Sequence, residues 1–127
     1  MAAHSEPRVV AFLAEGVIAI NRFVKYGADK EHVLQCGANE RAIGVSVNAT
    51  AVAEDAIDVH ILGGGSKVEA AEAIGLGKFV TSTSIGKAEI VDAADEFSPG
   101  MASEPASADE DIIGIELQAT IPAASDV

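Results

Sequence analysis

The side chains that could carry out chemistry are few and widely spaced in this chain. Cys36 lies four residues after His32, a spacing that brings two side chains to one face only on a helix, whereas this segment has the pattern of a strand. A Cys–His nucleophile is therefore not indicated. The three histidines also lack cysteine or carboxylate partners at the spacing of a closed zinc site: His4, His32 and His60.

Two glycine–lysine runs, residues 63–67 and 75–78, invite comparison with phosphate-binding loops. Phe79 follows the second lysine where such a loop requires Ser or Thr, and neither run has the glycine expected five residues before the Gly-Lys pair. The serines lack the G-x-S-x-G pattern of a nucleophile elbow. We therefore interpret these glycines as turn residues, and we predict no catalytic residue and no enzyme activity.

Six carboxylates near the end of the chain could gather a hard cation, because such ions take oxygen ligands. A solvated acidic loop is the simpler interpretation, so we predict no metal and no cofactor. The carboxylates are Asp92, Asp95, Glu96, Asp109, Glu110 and Asp111.

The overall composition excludes several functional classes. With 20 acidic and 8 basic residues the formal charge is −12, so the chain has no cationic surplus for direct nucleic-acid binding. No segment approaches the roughly 18 apolar residues of a membrane span, and the first residues lack the pattern of a signal peptide. A single cysteine cannot form an internal disulfide. These features predict one domain that is made in a cytoplasm and binds neither nucleic acid nor membrane.

Short β-strands are the elements that must position these residues. Aromatic residues make up only 4% of the chain, so the core has to be built from Val, Ile, Leu and Ala. The Ser66–Glu69 capping box leaves open a short helix through Ile74, although we favour a strand at 67–70. The pattern predicts a mainly β fold with little helix, a small barrel or sandwich of eight to ten strands. The strand segments are 9–13, 20–26, 33–36, a strand within 41–50, 57–62, 67–70, 79–84, 88–91 and 112–117.

An internal repeat indicates that the domain has two related halves. Residues 14–24 resemble residues 70–80 at an offset of 56 (70 minus 14), and residues 41–50 resemble residues 111–120 at an offset of 70 (111 minus 41). The larger second offset predicts extra residues in the second half, placed as an inserted loop at 95–110. We expect residues 1–8 to form a flexible arm, 9–121 a single β domain and 122–127 a tail.

The same motifs resemble those of the capsid decoration, or cement, proteins of tailed bacteriophages. The pattern A-x-x-x-I-x-x-x-[RK]-F-V occurs at Ala14 and again at Ala70, a middle strand ends in Gly63-Gly64, and a closing strand reads IIGIELQ. The resemblance covers roughly residues 9–121. It implies a small β-tulip-like barrel that sits as a homotrimer on the outer capsid surface of a virion and bridges neighbouring major capsid protein subunits. The loop at 95–110 is longer than this family leads us to expect.

For that role we expect partner contacts on the arm and on the inserted loop. Two other functions remain open from the residues alone. One is a non-viral β-barrel binding or assembly module, and the other is a lipoyl-like carrier or accessory domain with a modified lysine at Lys87. The expected capsid or partner contacts are Ala2, Ala3, His4, Ser5, Glu6, Pro7, Arg8, Phe97 and Met101.

Overall fold

The computed structural model describes residues 8–92 and 97–122, without the side chains of the last four. Within these ranges the chain forms ten β-strands and no helix, which confirms the mainly β prediction. No helix of the described residues is long and apolar enough to cross a membrane. The strands are β1 (Arg8–Ala14), β2 (Phe23–Tyr26), β3 (His32–Gln35), β4 (Gly44–Ser46), β5 (Ala56–Ile61), β6 (Gly65–Glu69), β7 (Phe79–Ser82), β8 (Ala88–Ile90), β9 (Phe97–Ala102) and β10 (Ile112–Pro122).

The first five strands close into a barrel, here called barrel 1. Its order is β1-β3-β2-β4-β5, and β5 pairs back onto β1 to complete the ring. The alternation along β5 explains its two faces, because Ile57 and Val59 are buried in the barrel while Asp58 is exposed. The buried apolar cluster inside it consists of Phe12, Ala14, Ile18, Val24, Val33, Ile57 and Val59.

The last five strands form sheet 2, which repeats this arrangement. Its order is β6-β10-β9-β7-β8, and an isolated parallel bridge between Ala70 and Ala88 joins its two outer strands. Pairings recur at a constant offset: Phe12 opposite Ile57 in barrel 1 becomes Val68 opposite Ile113 in sheet 2, 56 residues later at both positions (68 minus 12, 113 minus 57). The two halves are therefore copies of one five-strand unit, as the sequence repeat predicted.

The predicted inserted loop at 95–110 is wrong for residues 97–102, which form β9. Gly100 pairs with Val80 as Gly44 pairs with Val24, so β9 is the counterpart of β4 at the same offset of 56 (100 minus 44, 80 minus 24). This strand was not predicted from the sequence because its buried residues include Ser98 and Gly100, which produce no apolar alternation. Residues 97–106, rather than 111–120, are thus the true counterpart of residues 41–50.

The other predicted segments correspond to observed strands with small shifts at their ends. Arg8, assigned to the arm, begins β1, and Pro122, assigned to the tail, ends β10. The alternative helix through Ile74 is absent, since β6 occupies Gly65–Glu69 and Ile74 forms a bridge with Ala106. The rest of the arm and the tail after Pro122 lie outside the described residues.

Candidate interaction surfaces

The two described histidines are held in polar contacts of the surface. The His32 ring lies 2.7 Å from Asp29 Oδ1 and 3.0 Å from Glu54 Oε2. The pKa of His32 is raised, chiefly by its hydrogen bond to Asp29. His60 contacts Ser66 Oγ through Nδ1 at 2.8 Å, and burial lowers its pKa. Both rings are engaged in side-chain contacts, and neither meets a cysteine.

Cys36 and Lys87, the remaining candidates for chemistry, are both buried. Burial raises the pKa of the Cys36 thiol to about 12, which keeps it protonated and unreactive at neutral pH. Lys87 Nζ lies 3.1 Å from a Glu69 carboxylate oxygen and 2.9 Å from Asp109 Oδ1, and the hydrogen bond with Asp109 chiefly raises its pKa. A carrier lysine needs an exposed tip, so this position does not suit a carried group.

The acidic residues near the end of the chain do not converge on one point in the part that is described. No group of three or more His, Cys, Asp or Glu side chains there is arranged to hold a metal ion. Asp111 instead accepts hydrogen bonds from the Ser107 amide and hydroxyl and from the Ala108 amide, which lowers its pKa. This carboxylate orders a turn of its own chain. Asp95 and Glu96 are outside the described residues.

A concave surface with a volume of about 480 Å³ lies beside β6 and β10. Lys67 and Glu104 line it and form an exposed ion pair with Nζ and Oε1 3.1 Å apart. Glu104 also accepts a hydrogen bond from the Gly114 amide at 2.6 Å. Sequence reasoning did not predict this concave surface, because its lining residues come from segments that are far apart in the chain. The Glu104 carboxylate is therefore already paired with Lys67 and with the Gly114 amide.

The outward face of β2 contacts the second half of the chain. Phe23 points away from the barrel 1 interior, is completely buried, and joins the apolar cluster of sheet 2 together with Val45, which pairs with it across β2 and β4. Around this contact Arg22 lies 3.2 Å from the Glu69 carboxylate. Alternation in β2 therefore serves two cores, with Val24 facing into barrel 1 and Phe23 facing sheet 2.

A tight turn of sheet 2 fits against this face of barrel 1. The Phe23 amide donates to the Gly86 carbonyl at 2.8 Å, and Arg22 donates to the Ile85 carbonyl at 2.9 Å. Gly86 has φ of +78°, and an added Cβ there would come within 2.9 Å of Gln35 Cγ. Only glycine allows both this backbone conformation and this close approach.

The predicted contact residues Phe97 and Met101 lie on β9 rather than at a loop tip. The Phe97 amide donates to Asn39 Oδ1 at 2.8 Å, and the Arg41 guanidinium carbon lies 4.6 Å from the centre of the Phe97 ring. Phe97 therefore belongs to the junction between the halves. Met101 is half-buried beside Phe79, its neighbour across β7 and β9. Of the predicted arm contacts only Arg8 is described, exposed at the start of β1.

An exposed apolar surface, here called the apolar end, was missed by sequence reasoning. Residues 15–22 and 47–55 lie side by side, because Ile18 and Thr50 exchange backbone hydrogen bonds of 3.2 and 2.9 Å. Single apolar residues in turn-rich segments gave no periodic pattern by which to find it. The two segments carry the exposed side chains Val17, Ile20, Val47 and Val52.

The fold defines a class: within the described residues, an all-β protein of two repeated five-strand units. A family of phage cement proteins matches residues 4–117. The chain belongs to this family of phage structural proteins and is associated with the virion. The resemblance stated from the sequence is confirmed.

One solved structure supports the fold independently. The base of the head fibre protein gp8.5 of bacteriophage phi29 superposes with a TM-score of 0.72 at 18% sequence identity, covering 87% of this chain and 95% of that chain. At this identity the likeness establishes the fold. No curated protein matches the chain.

Proposed function

We propose that the protein is a decoration protein that binds the outside of a phage head as a homotrimer. It bridges neighbouring major capsid protein subunits and stabilises the shell without catalysing a reaction, after synthesis in the host cytoplasm. The observation that carries this proposal is the match to phage cement proteins over residues 4–117. The buried state of Cys36 and Lys87 agrees with a role performed by surfaces.

Cementing of this kind works by mass action. A protein that binds only the assembled shell stabilises it by about 2.7 kcal/mol per site when its free concentration is about 100 times the dissociation constant. A trimer adds avidity, because the second and third contacts become intramolecular once the first has formed. Modest contacts per protomer therefore suffice.

Two surfaces are proposed to meet the capsid. The arm, Ala2 to Arg8, is proposed to order on an adjacent capsid subunit; of these residues the structure describes Arg8, which is exposed at the start of β1. The apolar end supplies the second contact, since burying exposed Val and Ile side chains is favourable. The net charge of −12 favours basic patches on the capsid subunits.

The arm can be tested by rebinding to heads that lack the decoration protein. Removing residues 1–7 keeps Arg8 and all of β1, so we expect an unchanged unfolding midpoint and a capsid occupancy reduced by about tenfold at limiting concentration. Occupancy is measured on purified heads by quantitative gel or image reconstruction. A chain without residues 123–127 is the matched control. Equal occupancy for all three proteins would show that the arm makes no contact, and no binding by the intact chain would contradict the proposed function.

A further inference from the structure

In barrel 1, sheet 2 covers the outward face of β2. Sheet 2 itself contains the counterpart of this face, on β7. By the repeat offset of 56, Arg22 corresponds to Lys78 and Phe23 to Phe79 (78 minus 22, 79 minus 23). The counterpart strands β3 and β8 are offset by 55, since Val24 pairs with Gln35 as Val80 pairs with Ile90 (90 minus 35). The backbone positions that hold the turn around Gly86 are thus present twice in the chain.

The second copy of this face is open. Phe23 is completely buried under the Gly86 turn, whereas Phe79 is only half-buried and Lys78 is exposed. A groove of about 260 Å³ lies at this place, lined by Gly77, Lys78, Phe79, Ile90 and Val91. Its lining residues Lys78, Phe79, Ile90 and Val91 correspond to Arg22, Phe23, Gln35 and Cys36 on the face that barrel 1 already uses.

One other described turn corresponds in the repeat to the β7–β8 turn, which packs against the outward face of β2. The β2–β3 turn, residues 27–31, joins the strands that correspond to β7 and β8, and Gly27 donates to the His32 carbonyl as Thr83 donates to the Lys87 carbonyl. Counted between the paired residues on either side, it is one residue longer than the β7–β8 turn (27–32 against 83–87) and carries Lys30 and Glu31 where that turn has Gly86, so its contact need not copy the Gly86 contact in detail. Residues 28–31 are exposed. An exposed turn and a partly exposed groove therefore exist on different halves of the same molecule.

The charges of these two parts are complementary. At the internal junction the cation, Arg22, belongs to the covered face, and the acid, Glu69, belongs to the half that covers it. The groove offers Lys78 as its cation, and the β2–β3 turn carries Asp29, Lys30 and Glu31, of which Asp29 also contacts His32. The acid of the internal junction lies at the end of β6 rather than on the turn, so the two junctions share opposite charges but not the positions of those charges.

We propose that the sheet 2 groove binds the β2–β3 turn of a second copy of this chain. The inference rests on the proposed self-association and names the surfaces that make it. Because the contact is not reciprocal, each copy uses a different surface toward each neighbour, and such head-to-tail contacts form a ring when the rotation closes and a filament when it does not. In a closed trimer, three internal and three intermolecular junctions alternate around the axis.

Disulfide trapping tests this contact directly. In the double variant Lys30→Cys/Lys78→Cys, oxidation is expected to produce a covalent trimer, both in solution and on heads, read by non-reducing gel and intact mass. Cys36 does not compete, because its thiol is buried. An equimolar mixture of the two single variants is expected to stop at a disulfide-linked dimer, and each single variant alone is expected to remain uncrosslinked. Self-linking of a single variant would indicate a reciprocal contact and overturn the proposal.

Charge reversal provides a second measurement on proteins without new cysteines. Lys78→Glu is expected to weaken self-association by about tenfold in sedimentation, and adding Glu31→Lys is expected to restore it. Lys67→Glu, an exposed lysine on β6 outside the groove, is the control and should have no effect.

The outcomes separate this inference from the proposed function. A trimer that is insensitive to Lys78→Glu and gives no cross-link assembles through another face, which overturns the inference and leaves the trimeric decoration protein standing. A chain that binds heads as a monomer overturns both the inference and the trimer. A chain that forms the cross-linked trimer but never binds heads supports the inference and overturns the capsid role.

Discussion

Barrel 1 and sheet 2 share one backbone plan but expose different side chains. Phe12 and Val33 inside barrel 1 correspond to Val68 and Ala88 in sheet 2, so the second interior is built from smaller residues. Residues from barrel 1, including Phe23, complete the cluster of sheet 2. The difference teaches that the repeat fixes the strand arrangement, while substitutions on the faces and in the interior determine which half covers the other.

Truncating the two equivalent phenylalanines should give the largest difference between the halves. Phe23→Ala removes a completely buried ring and is expected to lower the free energy of unfolding by about 3–5 kcal/mol. Phe79→Ala removes a half-buried ring and should cost about 1 kcal/mol. Both are measured by urea denaturation at a concentration that keeps the chain monomeric. Equal losses would show that the two faces are equally covered within one chain.

The next largest effect should come from two glycines that share a backbone conformation. Gly86→Ala introduces a Cβ at φ of +78° that approaches Gln35 and Arg22, and we expect a loss of about 2–4 kcal/mol. Gly77→Ala places a Cβ at φ of +80° with no atom within 4 Å, so only the backbone strain of about 1 kcal/mol remains.

A third glycine variant sharpens this comparison. Asn21, the counterpart of Gly77 in barrel 1, already adopts φ of 61°, so Gly77→Asn should be nearly neutral. Urea midpoints of the three variants are compared with that of the wild type. A smaller loss for Gly86→Ala than for Gly77→Ala would mean that the Gly86 turn does not pack tightly on barrel 1.

The ends of the two halves should differ in capsid binding rather than in stability. Val17→Asp/Val52→Asp places charges in the apolar end and is expected to lower head occupancy by about tenfold. The counterpart positions in sheet 2 are Ala73 and Ala108 (73 minus 17 and 108 minus 52 are both 56), which are exposed. Ala73→Asp/Ala108→Asp should leave occupancy unchanged, and both double variants should unfold within about 0.5 kcal/mol of the wild type. Equal occupancy losses would assign the effect to added charge alone.

The smallest expected effect concerns the cation beside each turn. His32 in barrel 1 occupies the position of Lys87 in sheet 2, at the offset of 55 (87 minus 32). Because the folded-state pKa of His32 is raised above the usual 6.5, its stabilising contribution is complete below that value and is lost as the pH rises through the folded pKa. Lys87 has a usual pKa of 10.5 that is raised further, so it stays charged over this range.

We therefore expect the wild type to become less stable as the pH rises from about 6 to about 8. The variant His32→Lys, which keeps its charge over this range, is expected to lose less stability. The measurement is the difference between the urea midpoints of wild type and variant at each pH. His60, whose pKa is lowered, contributes a slope of the opposite sign, but it does so in both proteins and cancels in the difference. Parallel pH curves for the two proteins would show that the contacts of His32 with Asp29 and Glu54 contribute nothing measurable.

Regular alternation made most strands predictable from the sequence. The segment 57–62 alternates apolar and polar residues and corresponds to β5, and the repeat at 14–24 and 70–80 has the correct offset of 56. The strand β9 could not be found in this way, because Gly100 is required by space: a Cβ there would come within 2.4 Å of the Glu116 carbonyl oxygen. Close strand packing thus selected a residue that reads as a turn signal, and the second repeat was misaligned in consequence.

The sequence by itself determined the strand-rich class, the aliphatic core and the existence of two related halves, because periodicity and composition are local properties that hold wherever the segments lie. Only the tertiary structure decided which copy of a repeated face is covered. That choice depends on how the Gly86 turn meets Arg22 and Phe23, a contact between residues more than sixty positions apart in the chain, and no local pattern distinguishes Phe23 from Phe79.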